Sequence, residues 1–140
     1  MSELVPLNFH KILQSRSYTV MIVGTDEKKF AIYTEPQVGH SLQLQIAHAH
    51  PARPNTFDLI QQTFEGLGIK ILQVVINDVQ NTTYFARLFL EQSQGELKQI
   101  LEIDARPSDC VLLALTHKVP LFCSREVLNK TIAVDESSEL

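Results

Sequence analysis

Two short stretches hold most of the side chains that could do chemistry. One is "RPNTFDLI", beginning at Arg53, and the other is "DARPSDCVLLAL", from Asp104 to Leu115. Each sets an arginine before a proline, follows with a hydroxyl or amide residue and an aspartate, and then turns apolar. The obvious chemistry is anion recognition. Guanidinium groups clamp phosphate or carboxylate, and a helix start adds free N–H groups and the positive end of its dipole.

Helix capping accounts for part of the pattern. Proline is favoured at the first helical position, where its missing N–H costs nothing. Asn55 and Asp58 have capping-box spacing, with Asp in place of Glu or Gln. Ser108, Asp109 and Asp104 can satisfy free amides or complement the dipole. Capping does not account for the arginines, which oppose the positive end of a helix. Each is expected either to pair with a carboxylate (Arg106 with Asp104 or Asp58) or to reach an anion. If the two helix starts converge, Arg53, Asn55, Thr56, Asp58, Asp104, Arg106, Ser108 and Asp109 form one polar pocket. The alternative is a purely structural network in which aspartates neutralise both arginines.

The elements that must position these residues follow from periodicity and turn signals. "SYTVMIV" (17–23) and "KFAIYT" (29–34) read as strands of a hairpin around Gly24-Thr25-Asp26, after an earlier strand near 7–13. A helix starts at Pro36 behind Glu35 and runs to about His48. A second runs from Asn55 or Thr56 to Gly66, with Phe57, Ile60 and Phe64 as its core stripe. Strands follow at 69–76, 83–90 and 97–103, joined by polar connectors at 77–81 and 92–95. A helix from Pro107 to about Lys118, a short strand at 120–122 and a helical turn or two at 124–129 complete the chain. The expected fold is α+β, a mainly antiparallel mixed sheet packed with three to four helices. It is expected as a single domain over 1–130, with a flexible polar tail over 131–140.

Composition narrows the function. With 140 residues the chain can bury a core of its own, and no apolar run approaches a membrane span. The first residues lack the pattern of a secretory signal, so a cytoplasmic protein with two reduced thiols, Cys110 and Cys123, is expected. A net charge of −4 argues against broad adhesion to nucleic acid or anionic membrane but not against a local basic face. Smaller signals are weaker. His40 and His48 could share a helix face without a third zinc ligand nearby, and Cys110 reads as core rather than nucleophile.

Taken in order, "RPNTFDLI", "TTYFARLFL" and "EIDARPSDCVLLALTHKVPLFCSREVL" resemble the bifunctional nuclease domain family, over roughly 17–128. The resemblance implies an α+β domain, a homodimeric or larger assembly, and a nuclease acting on RNA and/or DNA. Carried over by position, the family's polar residues fall on Arg53, Thr56, Asp58, Tyr84, Arg87, Asp104, Arg106, Ser108 and Asp109. The sequence departs from the family at Phe57, where a histidine is common, and at Gln37, where a glutamate is usual. For a nuclease, Asp58, Asp104, Arg106 and Asp109 are the expected catalytic residues. The three aspartates would then hold Mg²⁺ or Mn²⁺, with Arg53, Thr56, Arg87 and Ser108 binding substrate. The alternative is a non-catalytic regulatory or anion-binding dimeric module built on the same Arg/Asp cluster.

Overall fold

The computed structural model describes residues 3–135. The chain starts with three antiparallel strands, β1 (Leu4–Gln14), β2 (Thr19–Gly24) and β3 (Lys29–Thr34). Two helices follow, α1 (Pro36–Ile46) and α2 (Thr56–Leu67). An antiparallel meander comes next, made of β4 (Ile69–Gln80), β5 (Thr83–Gln94) and β6 (Leu97–Ala105). Then come α3 (Pro107–His117), β7 (Leu121–Ser124) and α4 (Arg125–Lys130). The strands form one seven-stranded sheet in the order β3-β2-β1-β7-β4-β5-β6. Its β4–β7 pair is parallel because α3 carries the chain back across the sheet. This is the α+β architecture that the periodicity predicts.

Burial explains which elements lie where. Every residue of β2 is buried, so its apolar run is continuous rather than alternating. Helix α3 is buried along most of its length, including Pro107, Ser108, Cys110, Val111, Leu112, Leu113 and Ala114. A helix apolar on nearly all sides belongs inside the fold, and α3 packs against β4, β5 and α1. Helix α1 approaches the β1–β2 corner so closely that a Cβ on Gly39 would collide with Thr19 and Gln14.

Two strands run further than their polar ends suggest. β4 continues through the expected connector at 77–81, because a bulge between Ile76 and Asp78 absorbs the extra residue. Asp78 Oδ1 accepts from the Val79 N–H at 2.8 Å, and the turn moves to Asn81, whose φ is 60°. β5 likewise pairs with β6 as far as Gln94, and Gly95 takes the left-handed position. At the C-terminal end Thr131 is buried and the Val134 N–H donates to the Lys29 carbonyl at 2.8 Å. The tail expected over 131–140 lies outside the described residues from 136 onward.

Candidate functional site

Two helices begin with an Xaa-Pro pair whose first residue is the N-cap. Glu35 precedes Pro36 at α1, and Arg106 precedes Pro107 at α3. Neither side chain caps its own helix. Instead Arg106 Nη1 donates to Glu35 Oε2 at 2.8 Å. Arg106 Nε and Nη2 donate to Asp109 Oδ2 and Oδ1 at 2.8 and 3.1 Å, a bidentate pair one helical turn along. The arginine that opposed its helix dipole is therefore neutralised twice. Thr34 Oγ1 adds a hydrogen bond to Glu35 Oε2 at 3.0 Å. The Arg106 guanidinium, more than any other contact, holds the Glu35 carboxyl down at about 2, and both carboxylates drive Arg106 further up.

This cluster stands at the mouth of a cavity of about 900 Å³ between α1, α2, α3 and the β5–β6 end of the sheet. The interior is apolar, with Val38, Phe57, Phe64, Leu88, Ile103 and Leu112 among its walls. Polar groups gather at the rim, where His40, Asn55 and Thr56 join Glu35, Arg106 and Asp109. Asn55 Nδ2 donates to Ser41 Oγ at 3.5 Å, which ties the start of α2 to α1. Ile60 remains 38% exposed, so the α2 stripe of Phe57, Ile60 and Phe64 faces a cavity rather than a filled core.

The expected site residues divide into several places. Thr56, Arg106 and Asp109 meet at the cavity. Asp58 does not. Its Oδ2 accepts from the Asn55 N–H, and its own N–H donates to Asn55 Oδ1, both at 2.9 Å, completing the capping box. It lines a shallow depression on another face of α2, with Gln61, Gln62 and Glu65. The expected Arg106 pairing with Asp104 or Asp58 is thus replaced by Glu35 and Asp109.

Asp104 and Arg87 are register partners on β6 and β5. They lie one residue from Ile103 and Leu88, which line the cavity, so strand alternation sends them to the opposite sheet face. There Arg87 Nε lies 4.0 Å from Glu102 Oε1. Ser108 is 3% exposed within α3, and Arg53 lies before the α2 cap without lining the cavity. The two Arg-Pro junctions are also not equivalent. Pro107 sits inside the first turn of α3, whereas α2 has Asn55 as its cap and begins two residues after Pro54.

Among the described residues no three His, Cys, Asp or Glu side chains gather as a metal-ligand set. Asp58, Asp104 and Asp109, the expected Mg²⁺ or Mn²⁺ ligands, therefore do not fit a shared ion within one chain. Asp58 is spent on the cap, Asp104 is on the far sheet face, and Asp109 is held by Arg106. The zinc face of His40 and His48 is not formed either. Helix α1 ends at Ile46, and His48 lies beyond it with a φ of 53°. Cys110 and Cys123 are buried free thiols, pushed up to about 12 and about 11 by desolvation, as core cysteines are.

A model of the bifunctional nuclease domain matches residues 20–136. The chain belongs to the bifunctional nuclease domain family. An uncharacterized protein of Mycobacterium tuberculosis strain H37Rv is 33% identical over 133 residues, covering 92% of this chain and 77% of that protein. Bifunctional nuclease 2 of Oryza sativa subsp. japonica is 30% identical over 86 residues, 61% of this chain and 26% of the rice protein. Bifunctional nuclease 1 of Arabidopsis thaliana is 26% identical over 80 residues, 57% of this chain and 24% of that protein. The plant nucleases are thus matched over only about a quarter of their length.

Sequence reasoning missed two rim residues as site members. Glu35 had a signal: its Glu-Pro helix start mirrors the Arg106-Pro107 start. His40 stands out in the sequence only as a zinc partner for His48, and the packing of α1 against α3 brings it to the cavity instead.

Proposed function

We propose that this chain is a nuclease acting on RNA and/or DNA, with cleavage at the mouth of the cavity. The observation that carries this reading is the Glu35–Arg106–Asp109 cluster at the rim of a large cavity in a bifunctional nuclease domain. A guanidinium has five N–H donors, and Arg106 commits three of them to the two carboxylates. Those left over can hold a phosphoryl oxygen and stabilise the charge that develops there. Thr56 orients the attacking group from the α2 side. His40 is the rim side chain suited to moving the proton, and it supplies the acid–base function that Phe57 cannot.

A second reading, a non-catalytic anion-binding or regulatory module, has its own observation in favour. Glu35 and Asp109 already neutralise Arg106, an arrangement that stands without any substrate, while its remaining N–H groups suffice for reversible contact with an anion.

The deciding experiment is cleavage of single-stranded RNA and DNA by highly purified protein with Mg²⁺, Mn²⁺ or EDTA. Arg106→Ala and His40→Ala run beside the wild type, each checked for folding. Cleavage by wild type that is lost in both folded variants supports the nuclease and its location. The EDTA arm decides metal dependence separately. No cleavage in any arm, with a control nuclease active, leaves the binding module, to be followed by titration with inorganic phosphate and oligonucleotides.

A further inference from the structure

Folded interiors are close-packed, and voids larger than a water molecule are few. The space between α1, α2, α3 and the β5–β6 end of the sheet is about 900 Å³, the size of a ligand pocket rather than of a packing defect. The chemistry at its mouth uses only the polar rim, and the apolar interior takes no part in it. That interior keeps apolar surface accessible. Ile60 reaches it from α2 and Ile103 from β6, and these side chains are 38% and 40% exposed. Apolar surface in a concave site gains free energy when an apolar ligand covers it.

The walls specify the ligand. Phe57, Phe64, Leu88 and Leu112 join the two isoleucines, so the interior offers aliphatic and phenyl side chains without a polar partner. A nucleobase placed there would bury its edge N–H groups and ring nitrogens unpaired, which is unfavourable. A hydrocarbon chain has no such groups to satisfy. At the mouth, donors and acceptors stand side by side. Arg106 gives three N–H groups to Glu35 and Asp109 and keeps the rest, while the two carboxylates can still accept. A head with hydroxyls beside an ester carbonyl meets both kinds. Its carbonyl accepts from Arg106, and its hydroxyls donate to Glu35 and Asp109.

We propose that the cavity binds a single-chain acyl ester of the monoacylglycerol type, with its hydrocarbon chain in the interior and its ester and hydroxyl groups at the Glu35–Arg106–Asp109 rim. Binding follows from the cavity's size and lining, so it holds whether or not the protein cuts nucleic acid.

The test is a chain-length series. Octanoyl, decanoyl and dodecanoyl monoacylglycerols, each below its micelle concentration, are titrated into wild type by calorimetry. Affinity is expected to rise by up to about fourfold for each methylene added. The sequence contains no tryptophan, so Phe64→Trp places a single emitter in the cavity wall, and its emission should shift to the blue as the chain enters. Ile60→Asp, at a part-exposed position, should weaken the dodecanoyl ester roughly tenfold or more, with circular dichroism unchanged. Adenosine serves as the aromatic control and should bind more weakly than the dodecanoyl ester. No binding at any chain length overturns the proposal, as does an affinity indifferent to chain length or a tryptophan emission that stays put. Tighter binding of adenosine, or an Ile60→Asp variant that binds like wild type, overturns it too. If Ile60→Asp fails to fold, the chain-length series and the Phe64→Trp emission decide. Cleavage is not read in any arm, so failure here is separate from failure of the nuclease reading.

Discussion

Arg106 Nη1 lies 2.8 Å from Glu35 Oε2, joining the N-caps of α3 and α1 across 71 residues of chain. With the Asp109 pair, it fixes the mouth of the cavity by charge, while the interior is fixed by packing. The two contributions can be separated by experiment.

The first prediction concerns acid. Glu35 is held at about 2 instead of the usual 4.5, chiefly by its hydrogen bond from Arg106. The folded state therefore binds this proton less readily than the unfolded state. The stabilisation is complete above about 4.5 and is lost as pH falls towards about 2. Both partners are half-exposed, so its size is that of a surface pair, about 1 kcal/mol or less. Glu35→Gln should be slightly less stable than wild type near neutrality, and the gap should close over that acidic range. Urea unfolding at a series of pH values measures it, and a gap that stays constant would show that the pair does not behave this way.

A second prediction separates Asp58 from the site. Its two reciprocal bonds with Asn55 make it a cap residue, so Asp58→Ala should cost about 1 kcal/mol of stability. Cleavage or anion binding by the folded variant should match wild type, unlike that of Arg106→Ala. If a folded Asp58→Ala loses function while its stability hardly changes, Asp58 belongs with the rim after all.

The third prediction uses two glycines. Gly39→Ala puts a Cβ into Thr19 and Gln14, and Thr19 is fully buried with its hydroxyl donating to Gln14 Oε1 at 2.8 Å. The expected cost is about 1–3 kcal/mol, and the displaced α1 should carry Glu35 away from Arg106. Gly66→Ala meets nothing within 4 Å near the end of α2 and should stabilise by roughly 0.5–1 kcal/mol. Thermal melts of the two variants should move in opposite directions, and a shared sign would contradict the packing described for α1.

Local signals were legible where the physics is local. Asn55 and Asp58 form the capping box that their spacing predicts, and Gly68 ends α2 in the left-handed conformation. The α+β pattern followed from periodicity. Strand ends at Asn77 and Gln92 were misread because pairing with neighbouring strands held polar residues in the ladder, which hydrogen bonds from another segment decide.

The sequence by itself determined the family, the order of helices and strands, and the presence of two charged helix starts. The tertiary structure alone decided which charges meet. Asp104 and Ile103 are adjacent in sequence, yet alternation along β6 places one on the far sheet face and the other in the cavity wall. Glu35 and Arg106 are far apart in sequence and are hydrogen-bonded in space. Spacing along the chain predicts a side chain's neighbours only within one helix or strand, whereas a site assembled from several elements depends on how the core packs them.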